Sequence, residues 1–325
     1  MEAYTDFASV YDIFMDDTPY EEWADFLTSL IETYGISTPV RRDLPLGQVG
    51  QNGSEGEAES DNNGSRGADF AGGFLPESFD VGESKNENEE EILTSERNLV
   101  VDLGCGTGTL TELFYQKGYD MIGVDNSQEM LEAALAKREK SGSEILYLCQ
   151  DMRELDLYST VGTVVSVCDS VNYLLEDEDV EETFSLVNNY LYPGGLFIFD
   201  FNTVYKYEQV IGDATIAENR ESCSFIWENY YHEDERINEY DLTIFVQIFG
   251  KEDERLGSQG DLFRRFTETH YQRGYTLEEM IKFVERAGMQ VVQVLDADTH
   301  GEVCDTSERI YVIARECQKQ EGMKV

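Results

Sequence analysis

Ten residues constrain this chain more than any others: Leu99-Val-Val-Asp-Leu-Gly-Cys-Gly-Thr-Gly108, a short apolar run that ends in glycine at every second position. The run from Asn98 to Leu103 is too short and too β-branched for a helix, whereas Thr109-Leu-Thr-Glu-Leu-Phe-Tyr115 resumes with apolar residues at helical spacing. The spacing predicts a strand, a tight turn and a helix. Gly104, Gly106 and Gly108 let the backbone turn without Cβ clashes. They also let a ligand approach the main chain, where the N–H groups of a helix N-terminus point at it.

Alternating elements follow. Strands are expected at Asp120–Val124, Glu144–Cys149, Thr163–Val167 and Leu196–Phe199, the last after a turn at Pro193-Gly194-Gly195. Helices are expected at Gln128–Lys140 and Asp177–Tyr190. The alternation predicts an α/β, Rossmann-like fold, a parallel sheet with helices on both faces, whose ligands sit beyond the carboxyl ends of the strands. Polar residues stand at those ends: Gly104, Asp125, Asp151, Asp169, and Asp200 with Asn202.

From Cys223 the period changes to two. Ser224–His232, Ile237–Phe249 and Leu262–Tyr271 read as antiparallel strands joined by acidic turns. A helix at Leu277–Ala287, capped by Thr276 with Glu279 and stopped by Gly288, precedes two closing strands, Met289–Leu295 and Arg309–Ala314. At the front, two helices are expected, the second opened by a capping box of Thr18 with Glu21 and by Pro19 at the first helical position. Tyr4, Phe7, Tyr11 and Phe14 form one aromatic face. Phe7 and Phe14 read as packing residues, while Tyr4 and Tyr11 keep polar tips that suit a ligand. Between about Leu46 and Glu91 the composition turns to Gly, Ser, Asn and Glu, which buries too little apolar surface to offset its ordering entropy. The patch Phe70–Phe79 alone interrupts it.

The balance of 24 Lys+Arg against 67 Asp+Glu gives a formal charge of −43, which repels a phosphate backbone and disfavours nucleic acid as a partner. The compact basic pairs are Arg41-Arg42 and Arg264-Arg265. The six cysteines form no CxxC pair and the three histidines have no partner at zinc spacing, so reduced thiols, a cytoplasmic setting and no metal are expected. No apolar run approaches the ~20 residues of a membrane span.

A glycine turn followed by an acid at the end of the next strand suits a nucleotide cofactor, because the acid accepts hydrogen bonds from ribose hydroxyls; Asp125 fits that position. Dinucleotide enzymes carry G-x-G-x-x-G to seat a pyrophosphate. Here the order is G-C-G-T-G, with Asp102 two residues ahead of it. That acid repels a pyrophosphate and suits an ammonium, so the cofactor implied is a nucleoside carrying an amino acid.

Val101-Asp-Leu-Gly-Cys-Gly-Thr-Gly108 resembles motif I of the class I S-adenosylmethionine-dependent methyltransferases. Gly123-Val-Asp-Asn-Ser-Gln-Glu-Met130, Cys149-Gln-Asp-Met152 and Pro193-Gly-Gly-Leu-Phe-Ile-Phe-Asp200 resemble that family's later motifs in the right order. Tyr11-Asp12, Tyr20 and Trp23, Cys168-Asp-Ser-Val-Asn-Tyr-Leu174, and Arg265-Phe-Thr-Glu-Thr-His-Tyr-Gln-Arg273 are similar to a bacterial subgroup, the YqeM-like methyltransferases (methyltransferase domain 25). The acidic segment departs from the subgroup pattern, in which the first strand follows the N-terminal helices closely.

The resemblance implies a seven-stranded mixed sheet and S-adenosylmethionine as cofactor. It implies that Asp125 holds the ribose, Asp151 the adenine amino group, and Met130 and Met152 the adenine faces. Gly104 and Gly106 would line the methionine moiety, the Cys168 carbonyl would lie near its amino group, and Tyr11 and Trp23 would close over it. Asp102, Cys105, Gly108 and Asn126 complete the expected cofactor set. Candidates near the methyl group are His270, Asp169, Tyr173 and Asn202 as catalytic residues, with Asn172, Arg265 and Arg273 on the substrate side.

The domains expected are N-terminal helices (1–45), an acidic insertion (46–97), the cofactor-binding core (98–222), an antiparallel β cap on the substrate side (223–272) and the closing elements (273–325). The function expected is in-line methyl transfer to a small molecule. The alternatives are a methyltransferase acting on a basic or ribosomal protein and a non-catalytic cofactor-binding interaction module.

Overall fold

The computed structural model describes residues 7–40, 95–248 and 262–319. The expectations on Tyr4, on Arg41-Arg42, on the acidic stretch with its Phe70–Phe79 patch, and on the acidic turn between Phe249 and Leu262 lie outside the described residues. The front of the chain forms α1 (Ala8–Phe14) and α2 (Tyr20–Tyr34). Then come β1 (Leu99–Leu103), α3 (Thr109–Gln116), β2 (Asp120–Asp125), α4 (Gln128–Ser141), β3 (Leu146–Cys149) and β4 (Val161–Ser166). They are followed by α5 (Asp177–Tyr190), β5 (Leu191–Asn202), β6 (Thr215–Asn219), β7 (Cys223–His232) and β8 (Ile237–Gln247). The chain closes with β9 (Phe263–Arg273), α6 (Leu277–Arg286), β10 (Met289–Asp296) and β11 (Arg309–Glu316).

Seven strands form one sheet in the order β10-β11-β5-β4-β1-β2-β3. The five on the β3 side are mutually parallel, and β11 and β10 are added antiparallel at the other edge. Strand alternation sorts side chains between two cores. Val101, Phe197, Phe199 and Val312 face α5 and α6, where Phe184, Val187, Met280 and Phe283 meet them. Val100, Leu196, Ile198 and Ile313 face the other way, against Ala24, Leu27 and Ile31 of α2 and Phe114 of α3. The order reverses between β1 and β4, and that switch point places the ligand crevice.

The period-two region forms a second sheet, β6-β7-β8-β9, antiparallel throughout. Strand β6, not anticipated, hydrogen-bonds to the outer edge of β7; its mostly exposed residues carry no alternation to announce it. Helix α1 packs on this sheet through Val10 and Phe14, the latter edge-on to Phe225 at 4.8 Å.

Two local expectations are corrected. Helix α2 begins after Pro19, which is itself the N-cap, and no side chain caps it; Thr18 therefore forms no capping box with Glu21. Pro193–Gly195 do not form a separate turn. They lie inside β5 as an irregularity, where the ladder to β4 passes from Val161–Leu191 to Thr163–Leu196 and Gly194 takes a φ of 75°. At α6 the Thr276–Glu279 capping box is present in full.

Candidate active site

The strand ends converge on a cavity of about 410 Å³, within the range of roughly 300–1,000 Å³ usual for small-molecule and cofactor sites. Its floor is the glycine turn. Gly104, at φ 82°, passes so close to the loop after β4 that an added Cβ would stand 2.5 Å from Ser170 Oγ. Gly106, at φ 54°, is the opposite case: a Cβ there would meet nothing within 4 Å, so its backbone faces open space at the cavity wall. Gly108 caps α3 and does not line the cavity.

Acids from three strand ends border the space. Asp102, 3% exposed on β1, accepts a hydrogen bond from Thr111 Oγ1 at 2.6 Å, and burial pushes its carboxyl up to about 7. Asp125 at the end of β2 accepts the Gly106 N–H at 2.8 Å and the Ser127 N–H at 2.9 Å, which ties the glycine turn to the start of α4. Burial raises its pKa against those two amides. Asp151, after β3, is held below the usual carboxylate range by Arg153, which also reaches Asp179 at 3.3 Å.

Of the expected residues, Tyr11, Asp102, Gly104, Cys105, Gly106, Asp125, Asn126, Met130, Asp151, Met152, Cys168 and Tyr173 line this one cavity. Trp23 does not; it lies one turn further along α2 and packs edge-on to Tyr20 at 5.5 Å, and Tyr20 stands at the cavity wall in its place. Thr107, Thr109 and Ser170 also line it and were missed. Thr107 and Thr109 sit within or beside the glycine motif, where their position alone would have flagged them.

Asp169 and Asn202 form a layer behind the wall. Asp200 on β5 accepts the backbone N–H groups of Cys168 (3.0 Å) and Asp169 (2.8 Å), two non-glycine residues held at φ 61° and 56°. Arg309 on β11 binds Asp169 at 2.6 Å and Asn202 Oδ1 at 3.1 Å, and Gln272 of β9 donates to the other oxygen of Asp169 at 2.6 Å. The loop that carries Cys168 to the cavity is thus fixed from behind. Asn172 is fully buried, with its amide group bonded to Asn202 N and O and to Arg273 O, so it ties β5 to β9.

The substrate-side arginines are placed elsewhere. Arg273 pairs with Asp177 at 2.7 Å, donates to Leu175 O and lies over the Tyr275 ring. Arg265 lies on the exposed part of β9, opposite Phe245. His270 does not line the cavity; it is buried on β9 behind Tyr173, 3.1 Å from that hydroxyl.

Helix α1 is fastened over the glycine turn. Thr107 Oγ1 donates to Asp12 at 2.7 Å, and Lys137 of α4 reaches Asp12 at 2.7 Å, Thr107 at 2.8 Å and Thr109 at 2.7 Å. The clasp sets Tyr11 against the cavity.

Residues 100–195 match the family model described as a methyltransferase domain. The chain is 35% identical over 226 residues to the Bacillus subtilis (strain 168) protein named "Putative methyltransferase YqeM", covering 69% of this chain and 87% of that one. A Streptomyces venezuelae protein, named dTDP-3-amino-3,4,6-trideoxy-alpha-D-glucopyranose N,N-dimethyltransferase, is 32% identical over 107 residues, 33% of this chain and 44% of that one. Among solved structures, an S-adenosylmethionine-dependent methyltransferase from Clostridium acetobutylicum ATCC 824 superposes with a TM-score of 0.60 at 28% identity, over 73% of this chain and 93% of that one.

Proposed function

This chain belongs to the YqeM-like family of S-adenosylmethionine-dependent methyltransferases, and from that premise we propose that it methylates a small molecule in the cavity between the glycine turn, Tyr11 of α1 and the loop after β4. The observation that carries the reading is the cavity's electrostatics. Asp102, Asp125 and Asp151 border it, and Arg153, the one arginine among the described residues that line it, is bound to Asp151 and Asp179.

Such a lining favours a ligand with positive charge and repels a pyrophosphate. The open space at Gly106, beside an Asp125 carboxylate already oriented by two amides, accommodates a ribose whose hydroxyls donate to that carboxylate. Met130 and Met152 offer polarisable surface to the adenine, with Asp151 at its edge. Asp102 and the Cys168 loop serve the amino-acid end. Bound S-adenosylmethionine supplies an electrophilic methyl group on a positively charged sulfur.

The protein's part is to orient the acceptor in line with that group and to exclude water, which needs reacting atoms held about 3 Å apart. Tyr11 and Tyr20 close the near side, and Tyr173 stands on the acceptor side. The enclosure by Tyr11 of α1, Tyr20 of α2 and the loop after β4 suits a small acceptor better than a folded macromolecule, and the Streptomyces venezuelae relative is named for a dTDP-linked amino sugar.

Calorimetry with S-adenosylmethionine and with NAD tests the cofactor role of Asp125. Asp125→Ala is expected to weaken S-adenosylmethionine roughly 10- to 100-fold, the worth of one charged hydrogen bond at about 1.5–3 kcal/mol. Unchanged affinity would reduce Asp125 to a cap of the turn. Transfer of a tritiated methyl group into the small-molecule, protein and RNA fractions of a cell extract tests the acceptor. Label found in protein alone would overturn the small-molecule reading.

A further inference from the structure

Behind Tyr173 lies a buried line of polar side chains that cofactor binding does not require. The Tyr173 hydroxyl is 2.8 Å from Tyr240 Oη on β8 and 3.1 Å from His270 Nδ1 on β9. The opposite ring nitrogen, Nε2, stands 3.3 Å from Glu268 Oε2, and Glu268 Oε1 accepts the backbone N–H of Phe7 at 2.9 Å, where α1 begins. The imidazole lies flat on the Tyr240 ring, 4° from parallel with centroids 4.8 Å apart. His270 is 2% exposed and Glu268 9%. Of these four side chains, Tyr173 borders the cavity.

The chemistry of the groups orders the line. The Glu268 carboxylate approaches Nε2 as a charge contact outside hydrogen-bond alignment, and because a carboxylate only accepts, its field favours the tautomer of a neutral His270 with the proton on Nε2 and Nδ1 as an acceptor. Tyr173 therefore donates to Nδ1. Its hydroxyl has one proton, so Tyr240 must donate to the Tyr173 oxygen.

We propose that Tyr173 is the catalytic group that takes the proton from the methyl acceptor, with His270 and Glu268 as positioning residues that act through it. The inference rests on the small-molecule methyltransferase reading above. As the acceptor's lone pair bonds to the methyl carbon, the carbon–sulfur electrons remain on sulfur. The acceptor's N–H or O–H proton passes to Tyr173 Oη while Tyr173's own proton passes to His270 Nδ1. The imidazolium so formed is paired with Glu268, so no charge is left isolated in the protein. Because Glu268 is held by Phe7, the line is complete only with α1 docked, which couples closure over the cavity to the readiness of the base.

The chain has three histidines, so nitrogen-15 NMR of the histidine-labelled full chain resolves the tautomer directly. The expected result near neutral pH is a His270 ring protonated at Nε2 with Nδ1 hydrogen-bonded, and a shift of the Nδ1 resonance in Tyr173→Phe. A ring protonated at Nδ1 would reverse the line and overturn the proposal. S-adenosylmethionine affinity, read by calorimetry, is expected to stay within about twofold in Tyr173→Phe and Glu268→Gln, which separates the relay from the cofactor site. Tritium transfer into the small-molecule fraction of a cell extract is expected to slow by roughly 10²–10⁴-fold in Tyr173→Phe. In Glu268→Gln, which keeps an acceptor for Phe7, the rate–pH profile is expected to move. An unslowed Tyr173→Phe enzyme would sink the proposal. An extract that takes up no label in that fraction counts against the acceptor class, while the tautomer still decides the relay.

Discussion

Asp102 is a carboxyl group buried at the cavity, an environment its type does not prefer. Burial against β1's neighbours holds its carboxyl at about 7 in the free protein, with Thr111 and Asp125 as the opposing and reinforcing influences. Its folded pKa exceeds the unfolded value of about 3.9, so the protonated form favours folding. That stability is fully present below pH 4 and is lost as pH rises to about 7. A cationic ligand reverses the preference, because it pairs with the carboxylate. S-adenosylmethionine is therefore expected to bind roughly fivefold more tightly at pH 7 than at pH 6, the ratio of ionised Asp102 at the two values. Asp102→Asn is expected to bind weakly and without that slope; a pH-independent wild-type affinity in calorimetry would show Asp102 ionised throughout. Asp102 and Asp125 were legible as residues of the cavity because each lies in or just beyond one contiguous motif. The true setting of Asp169 and Asn202 was not legible: their partner Arg309 comes 140 and 107 residues later and reaches them only through the sheet order.

Among the elements, the parallel strands, α5, α6 and the capping box at Thr276 could be read locally, since period and end signals lie within each segment. What escaped was set by neighbours. Strand β6 exists because β7 offers an edge, and Pro193–Gly195 stay in β5 because β4 tolerates an irregularity there. Helix α1 is likewise an element whose role depends on what it touches. At seven residues it is too short to be stable alone, so its place over the glycine turn depends on the apolar seat of Phe14 and on the Asp12–Lys137–Thr107 clasp. Burial lowers the Lys137 pKa, yet Asp12 is 45% exposed on its side chain, which limits the pair to about 1 kcal/mol or less of folding stability. Lys137→Met is thus expected to leave the melting temperature within about 2 °C. Its effect belongs to the ligand: release of radiolabelled S-adenosylmethionine, followed by rapid filtration, is expected to quicken by several-fold. A large loss of stability with unchanged release would assign Lys137 to the fold and not to the closure.

At the scale of the whole molecule, a formal charge of −43 on 325 residues sets the terms on which this fold is stable. Local ion pairs such as Arg220 with Asp16 or Arg286 with Glu181 engage individual cations, but 24 basic residues cannot neutralise 67 acids. The folded state gathers the surplus into a smaller volume than the unfolded chain does, so self-repulsion opposes folding. The Debye length falls from about 30 Å at 0.01 M salt to about 3 Å at 1 M, which removes repulsion across the molecule before it weakens half-buried contacts such as Arg309 with Asp169. Raising sodium chloride from 0.01 to 0.5 M is therefore expected to raise the melting temperature by several degrees, at roughly 1–2 °C for each kcal/mol of relieved repulsion. The same change leaves the acids around the cavity largely unscreened where they are buried, so S-adenosylmethionine affinity is expected to fall far less than its association rate, which depends on the long-range field. Calorimetry and stopped flow at the two salt concentrations separate these effects. A melting temperature that falls with salt would mean that surface ion pairs, and not the net charge, dominate the electrostatics of folding.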